Sequence, residues 1–362
     1  MKISCLLLLT VFPALAADPF TDALSALRKV GPEGQGNAAA SAAWPVIAEG
    51  NPTQLPSVLA AMADTSAVAK NWLQSAALAL AQQASEKPES LPKPALETFL
   101  SDHSHDPLAR ALAYEILIGA DPALPEKLLP TLLDDPSPKL RRLAVQRLVD
   151  QGKAAVADKP AATALYTQAL KSARDEDQVK GIAEELKGLG QPPDLVKHFG
   201  FFTQYQIIGP FTNAGRKGYD TVFPPEKELN FAATYPGLEG DVGWKSVTVT
   251  DPLGVLDFNK ELKKLKEVTA YAAFDYTSKD GGPAELRIGT HNAYKIWLNG
   301  ALVFGRDEYH RGFRIDQYKL PVTLKAGKNT ILVKCCQNEE TQPWTEEWHF
   351  QLRACDAAGT PL

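Results

Sequence analysis

The hydrophobic period of this 362-residue chain changes once, near His198, and nothing else in the sequence constrains the fold as strongly. From about Asp18 to Val196 the apolar residues recur at helical spacing. Leu140, Leu143, Ala144 and Leu148 fall at i, i+3, i+4 and i+8, one stripe of an amphipathic helix. From Phe199 onward the period is two: Ala270, Ala272, Phe274 and Tyr276 alternate with Tyr271, Ala273, Asp275 and Thr277. A chain of this length exceeds one ordinary core. Two domains are therefore expected, a helical one over 17–197 and a β domain over 198–362. The boundary falls between about Gly190 and Phe202, where Gln191-Pro192-Pro193 stops the last helix.

Within the helical part, a capping residue followed by proline marks successive starts at Asp106-Pro107, Asp121-Pro122 and Ser137-Pro138. Leu55 to Ala63 with Ala67 to Ala84, and Ala161 to Ala173 with Gln178 to Leu189, predict two further helix pairs. No such helix buries its stripe alone, but stacked neighbours do, which is the logic of an α-solenoid. An irregular helical bundle is the other arrangement this pattern allows. In the β part, Asn299-Gly300 predicts a type I′ hairpin between Lys295–Leu298 and Ala301–Phe304. Ala326-Gly327-Lys328-Asn329 predicts another turn, and Trp348, Phe350 and Leu352 alternate in a closing strand. Many short strands with frequent turns point to an antiparallel β-sandwich or jelly roll.

Three stretches of the β part carry a family resemblance. They are Tyr205-Gln206-Ile207-Ile208-Gly209-Pro210-Phe211, the segment from Gly289 to Gly300, and the segment from Ala326 to Lys334. They resemble the galactose-binding-like β-sandwich found beside helical repeats in secreted proteins of planctomycete-type bacteria, and the hairpin is similar to that of PA14-like sandwiches. In the helical part, Asp134-Asp135-Pro136-Ser137-Pro138 followed by Leu140-Arg141-Arg142-Leu143 resembles the turn and second helix of a HEAT repeat. The first resemblance implies a module that binds carbohydrate without catalysis. Members of that family carry acidic residues just before the hairpin strand. This chain has Thr290, His291 and Asn292 there, so no sugar or calcium site carries over.

The N-terminus narrows the setting. Met1 to Ser4 is short and basic, Cys5 to Phe12 is apolar but too short to span a bilayer, and Ala14-Leu15-Ala16 is a small-x-small site. Residues 1–16 thus read as a secretory signal peptide cleaved after Ala16. The mature chain is expected in the periplasm, at the cell surface or outside the cell. The net charge of −5 argues against a nucleic-acid partner, and no second apolar run predicts a transmembrane segment. Cys335, Cys336 and Cys355 lack zinc spacing. If 330–337 and 347–355 form a simple hairpin, Cys336 and Cys355 lie at opposite ends, beyond disulfide reach.

No catalytic motif is present. Asp307-Glu308 and Glu346-Glu347 are adjacent pairs, whereas glycoside chemistry needs carboxylates facing across a cleft. Asp102-His103-Ser104-His105-Asp106 holds metal-ligand residue types, but Asp106 already serves as a helix cap, so no metal and no cofactor is expected. The candidate ligand residues are Trp297, Arg306, Tyr309, His310, Arg311 and Trp344. Alternation turns Trp297 away from the core, either to stack on a sugar or to lie under a loop. Trp344, after Pro343, is expected to face solvent. Arg306, Tyr309, His310, Arg311 and Arg314 form either a polar ligand rim or a solvated loop.

The expectation is a non-catalytic binding or scaffold protein, with helical repeats for a protein partner and a β-sandwich for a glycan. Two alternatives stay open: a carbohydrate-active enzyme with its site between the domains, and a purely structural interaction protein.

Overall fold

The computed structural model describes residues 18–362; the expected leader and its cleavage site lie outside the described residues. A helical N-terminal part precedes a region of antiparallel sheets. The chain divides into two compact units, one up to Arg147 and one from Leu148 onward. The change of period near His198 therefore falls inside the second unit.

The first unit contains α1 (Pro19–Arg28), α2 (Asn37–Ala48), α3 (Leu55–Ala60), α4 (Ala67–Glu86), α5 (Lys93–Ser101), α6 (Pro107–Ala120), α7 (Leu124–Leu128) and the start of α8 (Pro138–Ala154). Their inward stripes form one core, with Leu27, Leu59, Leu73, Leu80, Leu96 and Leu117 fully enclosed or nearly so. Side-chain caps open α4 and α6: Ser66 accepts from the Ala69 N–H, and Asp106 accepts from those of Leu108 and Ala109. The start at Asp121-Pro122 differs from expectation. Asp121 accepts from the Ala123 N–H, but α7 has only five residues and passes into a 3₁₀ turn over Leu129–Thr131. Pro130 offers no N–H to the carbonyl four residues back, and its ring would collide there.

The Asp-Pro-Ser turn before α8 is tied by buried charge. Asp135 accepts from Arg110 Nη1 at 2.8 Å, Arg110 Nη2 at 2.6 Å and the Ser137 N–H at 2.8 Å. Arg110 Nε donates to the Leu100 carbonyl at 2.8 Å. The Ser137 hydroxyl donates to the Pro107 carbonyl at 3.0 Å.

The second unit begins with the rest of α8, then α9 (Lys159–Ser172), α10 (Glu176–Gly188) and α11 (Leu195–Phe199). Next come β1 (Gln204–Thr212), α12 (Pro224–Lys227), β2 (Thr234–Pro236), β3 (Asp241–Gly243), β4 (Lys245–Thr248), β5 (Leu256–Asp257) and α13 (Phe258–Glu261). The last strands are β6 (Val268–Ser278), β7 (Gly282–Thr290), β8 (Ala293–Leu298), β9 (Ala301–Arg306), β10 (Tyr318–Leu324), β11 (Gly327–Gln337) and β12 (His349–Cys355). The order β4-β1-β6-β11-β8-β9 forms a six-stranded sheet and β10-β7-β12-β5 a four-stranded one; β2 and β3 form a separate ribbon.

The two larger sheets share one core. Ile207, Ala272, Ile296 and Val333 come from the first, and Leu286, Ile288, Phe350 and Leu352 from the second. Asn299 and Gly300 turn between β8 and β9 with φ of 53° and 82°, the left-handed pair that a type I′ turn requires. The hairpin between 330–337 and 347–355 does not form. β11 lies in the six-stranded sheet and β12 in the four-stranded one, and Cys335, Cys336 and Cys355 are buried free thiols. Alternation showed that both segments are strands, but not that the long connection between them crosses from one sheet to the other.

Both sheets are also covered outside. Over the six-stranded sheet, Phe223, Leu229, Tyr235, Val242 and Trp244 lie on Tyr271, Ala273, Trp297 and Leu332. That is why β6 is apolar on both faces through Phe274. Buried Lys334 anchors this cover, donating to the carbonyls of Tyr219 at 3.0 Å and Thr221 at 2.7 Å and to Glu226 at 2.8 Å. On the other sheet, Asp316 accepts from Arg353 at 2.5 Å and from Arg287 at 2.7 Å. Arg353 also donates to the Phe199 carbonyl at 3.1 Å. A methyl group on Gly289 would strike the Arg314 carbonyl, so only glycine lets the 313–316 segment lie this close.

Candidate ligand site

Three connections converge at one end of β11. They are the turn after β1 (Ala214–Tyr219), the segment 307–317 after β9, and the segment 338–348 after β11. Buried Asn213 joins two of them to the strand: its Nδ2 donates to the Gln337 carbonyl at 2.8 Å and to the Tyr309 hydroxyl at 3.1 Å. His310 Nε2 lies 3.0 Å from Asn338 Oδ1, and the His310 N–H donates to the His291 carbonyl at 2.6 Å.

Arg216, Glu267 and His310 all have positive φ here, at 63°, 53° and 58°. Each such non-glycine residue costs about 1 kcal/mol or more, and strain of this kind collects at functional sites. Hydrogen bonds hold the conformations. The Asn213 N–H donates to the Glu267 carbonyl at 2.6 Å, the Glu267 N–H to the Asn338 carbonyl at 3.0 Å, and the Gly215 N–H to Glu267 Oε1 at 2.9 Å.

The connections border an open cleft of about 400 Å³ lined by Arg216, Asp307, Tyr309, His310, Glu340 and Trp344, among others. Its charges are mostly paired. Arg216 bonds Glu339 at 2.6 Å and Glu340 at 3.1 Å, and its guanidinium sits 5.2 Å from the Tyr309 ring centre. Glu308 accepts from Arg306 at 2.7 Å and from Arg311 at 2.8 Å. The hydrogen bond from Arg306 holds Glu308 below the usual carboxylate range, and the one from Arg216 does the same for Glu339. Asp307 differs: burial, and then the nearby Asp220, raise its proton affinity. Burial likewise raises the Tyr309 phenol.

Trp344 is 61% exposed and meets the His310 ring edge-on at 5.5 Å. Among the side chains that tie these connections together, Asn213 Oδ1, His310 Nδ1 and Asn338 Nδ2 are buried without a protein partner. These groups need water or a ligand, because an unmet buried polar atom costs roughly 1–3 kcal/mol.

Tyr309, His310, Arg311 and Trp344 thus come together. Arg306 stands at the edge, bound to Glu308 and 5.2 Å from the Tyr318 ring centre. Trp297 is elsewhere. It faces away from the core as alternation required, but it is only 9% exposed. It lines a different cavity of about 430 Å³ with Glu228, Phe231, Asn299, Lys325 and Lys328 among its neighbours. Along β8 it sits near the Asn299 turn, whereas Tyr294, at the other end, pairs with Arg306.

Arg216 and Glu340 line the site and were missed by sequence reasoning, as were buried Asn213 and Asn338, which tie its loops. Arg216 meets Glu339 across 123 positions, and no spacing rule links residues so far apart. The Asp102–Asp106 stretch is a loop and cap. Asp106 bonds Lys70 at 2.6 Å, and His105 stacks on Phe99 at 3.8 Å. Among the described residues, no group of three or more His, Cys, Asp or Glu is placed to hold a metal ion. No helix among them is long and apolar enough to cross a membrane.

No family model matches the sequence, and no curated protein matches it. Solved structures similar to part of it include a β-glucosidase from Kluyveromyces marxianus in complex with glucose, at 13% identity and TM-score 0.27, over 42% of this chain and 16% of that one. A β-glucuronidase from Faecalibacterium prausnitzii aligns at 15% identity and TM-score 0.25, over 39% of this chain and 23% of that one. A GH31 α-xylosidase from Xanthomonas citri aligns at 9% identity and TM-score 0.22, over 42% of this chain and 17% of that one. The chain spans between 16% and 23% of the length of these enzymes. At such TM-scores the likeness carries no argument about fold or activity.

Proposed function

We propose that this is an exported, non-catalytic binding protein. In this reading its sheets form a β-sandwich of the jelly-roll kind that takes a carbohydrate at the Trp344 cleft. Its helical part is a HEAT-like solenoid that offers a surface to a protein partner. The observation that carries the glycan reading is Trp344, an exposed indole in a cleft lined by Arg216, Asp307, Glu340 and His310. A sugar ring needs one apolar face and several converging hydrogen-bond groups.

The charge pairing favours binding over catalysis. Glycoside cleavage needs two working carboxylates. Here Glu308 is held by two arginines and Glu340 by Arg216, which leaves Asp307 alone.

The test is a glycan array probed with the full chain, with and without calcium, beside Trp344→Ala. Trp344→Ala is expected to abolish binding and leave the melting temperature unchanged, because the ring is mostly solvated. A variant that binds every glycan as the parent does would remove Trp344 from the site. A parent that binds no glycan would leave only the protein-partner reading. Export is tested by N-terminal sequencing of the secreted chain. Ala17 is the expected first residue, and Met1 would refute cleavage.

A further inference from the structure

Each arginine bordering the Trp344 cleft is already matched by a carboxylate. Arg216 bonds Glu339 at 2.6 Å and Glu340 at 3.1 Å. Glu308 accepts from Arg306 at 2.7 Å and from Arg311 at 2.8 Å. Glu340 also has His310 Nε2 at 3.7 Å. The carboxylate left over is Asp307, which lines the same cleft. Among the described residues, no hydrogen bond or ion pair engages it. Two cations come near, Arg216 and Lys295, and both are committed elsewhere. Arg216 holds the two glutamates, and Lys295 lies 3.4 Å from Asp220 with its ammonium 4.2 Å from the Tyr219 ring centre.

The surroundings of Asp307 therefore disfavour its negative charge. Partial burial, and then the nearby Asp220, raise its proton affinity. What draws a proton to a carboxylate also draws any other cation that fits, because both cancel the same charge. The second element of the cleft agrees. Trp344 is 61% exposed, and an indole is the side chain whose face attracts a cation most strongly.

Three classes of sugar can be weighed against this arrangement. A uronate or a sulfated sugar finds no arginine free to receive it and meets the charge of Asp307. A neutral sugar stacked on Trp344 takes water from Asp307 and leaves that charge unbalanced. A sugar with a protonated amine balances the charge through a charge-assisted hydrogen bond, and its ring still offers a C–H face to the indole.

We propose that the Trp344 cleft selects an amino sugar in its cationic, non-acetylated form, with Asp307 accepting from the ammonium. This inference rests on the glycan reading of the cleft.

The test titrates the full chain calorimetrically at about pH 5.5, between the ordinary ranges of carboxylates and amines. The probes are the glucosamine tetramer, its N-acetylated form, cellotetraose and trigalacturonate, with tetralysine as the cation that carries no sugar. The glucosamine tetramer should bind roughly tenfold tighter than cellotetraose or the acetylated form. Asp307→Asn keeps the shape of an exposed side chain and removes its charge. It should bring that ratio below about twofold, because one hydrogen bond to a charged group accounts for the preference. Trp344→Ala should weaken every sugar that binds. Equal affinity for the glucosamine tetramer and cellotetraose overturns the inference and leaves the glycan reading standing. So does a preference that survives Asp307→Asn, or tighter binding of trigalacturonate. Tetralysine bound as tightly as the glucosamine tetramer would show attraction by charge alone and overturn it too. Binding of none of these sugars also overturns it, and the glycan array then decides the broader reading.

Discussion

In the helical unit, buried Arg110 meets Asp135 across 25 positions of chain. In the second unit, buried Lys334 meets Glu226 across 108, and Arg353 reaches the Phe199 carbonyl across 154. The first unit uses buried charge to fix a turn between neighbouring helices. The second uses it to fasten distant segments onto the outside of finished sheets. A buried ion pair adds little net stability, yet removing one partner is costly because the other stays buried and uncompensated. The two units should therefore be equally intolerant of losing a partner and unequal in what comes loose. Local pairs close short loops early, whereas distant ones must close long loops first.

The largest expected effects test that comparison directly. Asp316→Ala leaves buried Arg353 without a carboxylate, while Arg287 keeps Glu285 at 2.7 Å, and should cost roughly 3–5 kcal/mol in denaturant unfolding. Asp135→Ala strands Arg110 and should cost a similar amount, seen as lost amide protection in α5 and α6 and not in the sheets. If either substitution lowers amide protection in both units together, the two units unfold as one and the comparison breaks.

Next is the cut between the units. A fragment from 148 to 362 keeps the Phe199 carbonyl for Arg353 and the Glu176 carboxylate for the Ile315 N–H. A fragment from 200 to 362, which starts where the period changes, loses both together with buried Phe199. It should be less stable by about 3 kcal/mol, the scale of one buried aromatic ring and a hydrogen bond to a charged group. Equal melting temperatures for the two fragments would move the working boundary to residue 200.

A smaller effect is a pH dependence that arises in the second unit. Burial, and then the neighbouring His291, lower the His349 pKa to about 4; burial, and then Arg174, lower that of His198 to about 4. A depressed folded-state pKa means the unfolded chain binds protons first. The contribution is therefore present above pH 6.5 and is lost as pH falls toward 4. His349→Asn should flatten the stability profile over that interval by about 2 kcal/mol. An unchanged profile would mean that His349 is hydrated and titrates normally. Smallest is Gly300→Val, expected to cost about 1 kcal/mol because a β-branched residue resists the left-handed region. No loss would mean that the turn relaxes to another type.

Within each element the sequence was informative. Period two put Ile296 and Leu298 in the core and Trp297 on the other face. Asp106-Pro107 marked a helix start, and Asn299-Gly300 marked a turn. The Asp121-Pro122 signal misled because prolines further on cut the helix short. For the site, the run from Tyr309 to Arg311 and the loop indole Trp344 were legible, as side chains without a packed role. Arg216, Glu340 and the asparagines that tie the loops were not. Each looks like an ordinary polar loop residue until the loops meet.

The chain by itself determined which stretches are helix or strand and which face of each turns inward, because 3.6 and 2.0 residues per repeat are properties of the local backbone. Only tertiary structure decided what covers the outward face. Trp297 became a buried neighbour of the 223–244 cover rather than an open platform. Cys336 and Cys355 fell into different sheets. Arg216 met Glu339 across 123 positions. Period records the direction of a side chain. The segment it meets is chosen by burial and ion pairing between parts of the chain that carry no local mark of each other.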